Sequence, residues 1–298
     1  MTKVRYDEFS MFHENAAEWA LPYDAAPRVE RLHVEVAPGR RLSALRWGAT
    51  KPELVLLHGG AQNAHTFDTV ALALRRPLLA IDLPGHGHSD GAPSGMSDVP
   101  GHARDVVAAL GALGIERVPV VGMSLGGLVA LSTASLAPDL VDRLGMIDVT
   151  PGLTSEKSGH ITAFVNGPRT FSSLDELVAR TVAHNPSRSE SSLRRGVLHN
   201  AVQLDDGSWV WRHQRFEPPS GARALDAAAM WDELSGVRAP VLLVRAMGSG
   251  SVIDDQDEAE FRRRLPLASI VHVADSGHSV QGDQPLVLAD VLDTFLDS

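Results

Sequence analysis

The sequence predicts an α/β protein in which a mostly parallel sheet is wrapped by helices on both faces. Three observations carry this. Short apolar segments alternate with segments of helical period from residue 54 onward. Residues 54–57 (Leu-Val-Leu-Leu) are apolar without alternation, as in a strand buried on both faces. Residues 118–131 run apolar and β-branched, turn through Gly122-Met123-Ser124-Leu125-Gly126, and continue with helical character as Leu128-Val129-Ala130-Leu131.

That turn organises the rest of the chain. It reads strand, sharp bend, helix, with G-x-S-x-G at the bend. Glycines are needed where the bend is too tight for side chains, and the outcome lifts the Ser124 hydroxyl clear of the sheet with a helix N-terminus aimed at it. A lone G-x-S-x-G is weak evidence, because glycine and serine are common in loops. The flanking strand and helix make it specific.

The elements follow in order. Residues 1–27 hold scattered aromatics without a clear period, compatible with a short helix lying over the domain. Residues 28–37 alternate (Val29, Leu32, Val34, Val36) and meet 41–47 across Pro38-Gly39-Arg40, a β-hairpin pattern. The strand at 54–57 runs into His58-Gly59-Gly60. Residues 65–75 read as helix, 78–83 as strand, and 98–113 as a helix with Val99, Val106, Leu110 and Leu113 on one face. Strand 118–123, helix 125–137 and strand 143–149 complete the first run.

The alternation breaks at Thr150-Pro151-Gly152 and resumes near Val237. The interval is richer in Ser, Arg, Asn and Pro. Its periodic pieces, 174–182 and 192–200, are helical, and Trp209-Val210-Trp211 alternates after the turn Asp205-Asp206-Gly207. An insertion of this size predicts a helical cap over the carboxyl ends of the strands, where sheets of this kind bind ligands. Then come strand 241–244, helix 257–264, strand 269–274, the loop Asp275-Ser276-Gly277-His278 and helix 286–296. The expected organisation is an N-terminal extension (1–27), a core (28–150 and 236–298) and a cap (151–235).

Composition bounds the function. The chain has 298 residues, 44% hydrophobic and 21% charged, which suits a globular protein. Its net charge of −10 is spread along the chain and argues against nucleic acid or an anionic membrane as partner. With no cysteine there is no disulfide, thiolate metal site or cysteine nucleophile. The N-terminus carries charge where a signal peptide needs an apolar core, and no apolar run approaches the ~18 residues of a membrane span. The expectation is a cytoplasmic protein acting on a small molecule, its oligomeric state left open.

Four signatures in chain order give the sequence a resemblance to the α/β-hydrolase fold superfamily, over nearly the whole chain outside residues 1–27 and the cap. They are His58-Gly59-Gly60 after the first parallel strand, Asp82-Leu83-Pro84-Gly85-His86-Gly87-His88-Ser89 (similar to D-x-P-G-x-G-x-S), the elbow Gly122–Gly126, and Gly277-His278 after the last strand. The resemblance implies Ser124 as nucleophile and His278 as the base that a serine hydroxyl needs at neutral pH. It also implies an oxyanion hole from the backbone N–H of Leu125 and of Gly60, with Ala61 a near alternative. The triad acid departs from the commonest pattern. After the strand that follows the cap, the usual Asp position holds Ser251 or Gly250, and Asp254 and Asp255 come late, where Asp serves as a helix cap. The end of the strand after the nucleophile helix offers Asp148, which is favoured over Asp254.

The remaining polar residues have plainer readings. His58, His86 and His88 hold loops, while His65, His102, His184, His199, His213 and His272 are structural or exposed. Asp82 and Ser89 tie their loop together. One of Trp209 and Trp211 packs the cap and the other lines the cavity. Arg194-Arg195 reads as a solvated helix face. No spacing suggests a metal site, and no cofactor is expected. The implied activity is hydrolysis through an acyl-serine intermediate, on a carboxylic ester or lactone. Carbon–carbon bond hydrolysis on the same fold is the alternative within enzymes, and a non-catalytic ligand-binding protein on a hydrolase frame is the rival outside them.

Overall fold

A computed structural model describes residues 4–93, 98–214 and 226–298. Eight strands form the main sheet: β1 (Val29–Ala37), β2 (Arg40–Trp47), β3 (Leu54–Leu57), β4 (Leu78–Ile81), β5 (Val118–Met123), β6 (Val141–Ile147) and, after an insertion holding three short strands, β10 (Val241–Ala246) and β11 (Ser269–Val273). The spatial order is β1-β2-β4-β3-β5-β6-β10-β11. The β1–β2 hairpin and the β2–β4 pair are antiparallel, and every pairing from β4 to β11 is parallel.

The apolar run of β3 explains itself in this order. Leu54 and Leu56 face one core, with Val70 and Leu74 from the helix Asp68–Leu74 and Leu288 and Leu292 from the helix Pro285–Asp297. Val55 and Leu57 face the other, with Val106 and Leu110 from the helix Val99–Ala112 and Leu128 and Leu131 from the helix Leu125–Leu136. Both faces are sealed, so no position in the strand can be polar. Because β4 lies to one side of β3 and β5 to the other, chain direction across the sheet reverses at β3. The carboxyl ends of β3 and β5 therefore flank the crevice where such sheets place ligands.

The insertion adds a small sheet to the expected helical cap. It carries the helices Gly159–Val165, Leu174–His184, Glu190–Asn200 and Ala227–Ser235, but also an antiparallel sheet of β7 (Thr170–Phe171), β9 (Trp209–Trp211) and β8 (Ala201–Gln203). Phe171, Leu174, Leu177, Val178, Val197, Ala201 and Trp209 form a small core of its own. Strands of two or three residues are too short to show a period, so only Trp-Val-Trp left a trace in the sequence. Trp209 is buried, whereas Trp211 is partly exposed with its ring edge-on to Phe164 and Phe171. Residues 215–225 of this segment and 1–3 of the N-terminal extension lie outside the described residues.

The N-terminal segment forms the helix Phe12–Glu18, with Phe12 buried against Trp47 of β2 at a ring-centroid distance of 4.8 Å. It also corrects the reading of Arg194-Arg195 as a solvated face. Arg195 is buried, and its guanidinium bonds Asn15 and Glu18 of this helix. Among the described residues no helix is long and apolar enough to cross a membrane.

The helix Asp255–Arg264 is fixed to β10 through Glu258, which gives the fold a measurable response to acid. Burial would raise the Glu258 carboxyl, but hydrogen bonds from Arg245, His272 and Arg262 outweigh it and hold the group down at about 2, below its ordinary 4.5. A folded-state value below the unfolded one stabilises above pH 4.5, and that contribution is lost as pH falls toward 2. Glu258→Gln should therefore lower the urea midpoint at pH 7, with the gap to the unsubstituted chain shrinking as the pH is taken below 4.5.

Candidate active site

Ser124 follows β5 with φ 51° and ψ −120°, a left-handed backbone that L-residues adopt only under constraint. The constraint is visible. Its N–H donates to Ile147 of β6 at 3.1 Å, and its carbonyl accepts from Gly127 at 2.9 Å and Leu128 at 3.2 Å. Two glycines leave room for the bend. A Cβ on Gly122 would stand 2.0 Å from the Gly126 carbonyl oxygen, and one on Gly126 would stand 2.2 Å from the Leu57 carbonyl oxygen. The helix Leu125–Leu136 begins at the next residue, and with the Ser124 carbonyl serving Gly127 and Leu128, the N–H groups of Leu125 and Gly126 precede any intrahelical acceptor beside the serine.

At the end of β3, His58 is fully buried and joins two loops. Its Nδ1–H donates to the Gly59 carbonyl at 2.7 Å, and its Nε2 accepts the Leu83 N–H at 2.9 Å. Burial and the neighbouring His86 push the ring down to about 3, so it stays neutral in this role. His86 does the same one step further on. Its Nδ1–H donates to Pro84, and its Nε2 accepts the Ala61 N–H at 3.1 Å. The Ala61 donor is thus engaged. Gly60 is exposed, with open space where a Cβ would be. The Asp82 carboxylate accepts from Ala64, His88 and Arg31, while Ser89 bridges the Asp82 carbonyl to the Ser43 N–H.

The structure places the two candidate acids far apart in role. Asp148 follows β6 with φ 45° and is fully buried. Its carboxylate lies 2.8 Å from His278 Nδ1 and accepts the Ala246 N–H at 3.1 Å, the Ser251 hydroxyl at 2.7 Å and the Val252 N–H at 3.2 Å. Asp254 instead caps the helix Asp255–Arg264 in a capping box with Asp257, and pairs with Lys157 at 2.8 Å. It has no part in the His278 contact. Ser251, which with Gly250 stands where the resemblance leads one to expect an acid, contributes a donor to Asp148. The sequence flagged that position only as a departure.

His278 is delivered by the loop after β11, and that loop is pinned on several sides. The Gly248 N–H donates to the Ser276 carbonyl at 2.8 Å, and the Gly277 N–H donates to the Asp283 carboxylate at 2.9 Å. Gln281, in the helix Val280–Asp283, donates to Gln62 at 3.3 Å and to Thr66 at 3.2 Å, tying the His278 loop to the β3 loop. Ser124, Asp148 and His278 therefore follow the carboxyl ends of β5, β6 and β11, along one edge of the parallel sheet. The insertion reaches the same edge, where the Gln214 N–H donates to the Gly85 carbonyl at 2.8 Å.

Fold and site together define an α/β protein with a strained serine elbow and a buried carboxylate paired with a part-buried imidazole along one edge of its sheet. A model of the α/β-hydrolase family matches residues 54–291, and the chain belongs to that family. Esterase Rv0045c of Mycobacterium tuberculosis is 42% identical over 98% of this chain and 96% of its own. A crystal structure of that esterase superposes with a TM-score of 0.86 at 39% identity, covering 100% of both chains. The 3-hydroxybutyrate-oligomer hydrolase of Cupriavidus necator is 28% identical over 89% of this chain and 96% of its own.

Proposed function

We propose that the chain is a carboxylic ester hydrolase that works through an acyl-serine intermediate. The observation that carries the reading is the 2.8 Å contact between His278 Nδ1 and a fully buried Asp148, on the same sheet edge as a serine held at φ 51°. Likeness to a chain named as an esterase supports the choice of esters.

The geometry supports the following roles. Asp148 fixes the tautomer with Nδ1–H toward itself, which leaves Nε2 to take the Ser124 proton. The serine oxygen attacks the ester carbonyl, and the developing oxyanion is met by the N–H groups of Leu125 and Gly60. Ala61 is a poor donor here because His86 already accepts its N–H. The imidazolium returns its proton to the departing alkoxide. Water, deprotonated by the same ring, then releases the acid. The insertion acts as a cap that shapes the acyl and alcohol pockets, and lactones fit the same chemistry as cyclic esters. Fluorophosphonate probes phosphonylate only an activated serine, so the native chain should label stoichiometrically and turn over p-nitrophenyl esters. A folded chain that neither labels nor hydrolyses any member of an ester and lactone series would return the assignment to a ligand-binding protein.

A further inference from the structure

Where the N-terminal segment, the core and the insertion meet, a buried group of titratable side chains lies outside the ester chemistry. His65 precedes the helix Asp68–Leu74, Asp68 begins it, and His199 lies near the end of the helix Glu190–Asn200 in the insertion. Their exposures are 7%, 3% and 4%. One ligand atom from each lies within 4.8 Å of the others. His65 Nδ1 is 2.9 Å from Asp68 Oδ2, and His199 Nε2 is 3.7 Å from that same oxygen, too far for a hydrogen bond. His199 Nε2 and Asp68 Oδ1 are both buried without a hydrogen-bond partner, although each such atom costs about 1–3 kcal/mol.

We propose that His65, Asp68 and His199 form a site for a divalent transition-metal ion of the zinc, nickel or copper kind, which fastens the insertion to the core. Two imidazoles and a carboxylate suit these ions and not magnesium. Donors about 2.0–2.1 Å from a tetrahedral ion stand about 3.3 Å from one another. The two distances to Asp68 Oδ2, 2.9 and 3.7 Å, bracket that value. Each ring is held at its far nitrogen, His65 Nε2 by Glu8 at 3.1 Å and His199 Nδ1 by the Tyr6 hydroxyl at 2.7 Å. Such outer contacts orient imidazole ligands and leave the near nitrogen to the ion. Arg31, with Nη2 3.3 Å from His65 Nε2, is paired with Glu8 and Asp82, which offsets its charge.

Two changes accompany uptake. His65 has a carboxylate on each ring nitrogen, so its Nδ1 proton leaves for solvent as the ion arrives while Nε2–H stays on Glu8. The His65 and His199 rings are stacked at 3.8 Å and 11°, and one ion cannot lie in both planes. The His199 ring therefore turns out of the stack, exchanging ring contact for coordination.

The test is calorimetric titration of the chelator-treated, dialysed chain with ZnCl2 and NiCl2. The expected result is one ion per chain, proton release, no response to MgCl2, and a rise in unfolding temperature. His199→Gln and Asp68→Asn should each weaken binding at least about tenfold, and Tyr6→Phe should weaken it measurably through ring orientation alone. His33→Gln, at an exposed histidine on β1, should leave it unchanged, as should Ser124→Ala. Tyr6→Phe removes a single oxygen and keeps the test open if the other two variants do not fold. Failure of the folded native chain to take up an ion at a defined stoichiometry overturns the proposal. So does affinity that is equal in the native chain and in every folded variant among His199→Gln, Asp68→Asn and Tyr6→Phe.

Discussion

Ser124→Ala is expected to lower kcat on p-nitrophenyl esters by about 10⁴–10⁶-fold and to abolish fluorophosphonate labelling. The loss is large because the proposed acyl intermediate forms on this hydroxyl, and without it what remains is binding and oxyanion stabilisation alone. The fold should survive, since the elbow is shaped by Gly122, Gly126 and backbone bonds to Ile147, Gly127 and Leu128 rather than by the serine side chain. A second substitution separates chemistry from strain. At φ 51° and ψ −120° a residue with a Cβ is strained by about 1–3 kcal/mol, and glycine is not. Ser124→Gly should therefore be equally inactive yet unfold at higher urea concentration than either the native chain or Ser124→Ala. Equal stability of the two variants would show that the elbow stores no strain. Retained turnover in either would move the nucleophile elsewhere.

How far the sequence could be read depended on the range of the interaction involved. The hairpin at β1–β2, the buried strand β3 and the elbow were legible because each is a local pattern, a period of two or a glycine where a bend demands one. Contacts between distant segments were not. Thr170–Phe171 forms a strand only because Trp209–Trp211 lies alongside it, and nothing within two residues can announce that. Arg195 looks like any exposed helix arginine until Asn15 and Glu18 arrive from the N-terminal segment. His65 and Asp68 sit three apart, two ligand types that single out no site by themselves, and the third side chain of their group comes from the insertion. The Asp148 reading shows the boundary well. Chain order could name two carboxylates, but the choice depends on β6 pairing with β10, which brings Asp148 beside Ala246 and the Ser251–Val252 turn.

Asp148→Asn should cost about 10⁴-fold in kcat with the fold intact. The asparagine is nearly isosteric, so it can keep its oxygen toward some of the donors that Asp148 now satisfies, the Ala246 and Val252 N–H groups and the Ser251 hydroxyl. It cannot serve His278 in the same way. Turning its amide NH2 toward Nδ1 selects the tautomer with the proton on Nε2, where a base must be empty, and no negative charge remains to stabilise the imidazolium. The loss should therefore fall on kcat more than on KM, and circular dichroism should be unchanged. Asp254→Asn is the control with the opposite signature. It keeps a side chain able to cap the helix Asp255–Arg264 and gives up only the half-exposed pairing with Lys157, so activity should stay within about twofold and stability within about 1 kcal/mol. Near-native turnover in Asp148→Asn together with loss in Asp254→Asn would reverse the assignment. If both variants kept turnover, the Asp148–His278 contact would be a structural bond with no share in the reaction.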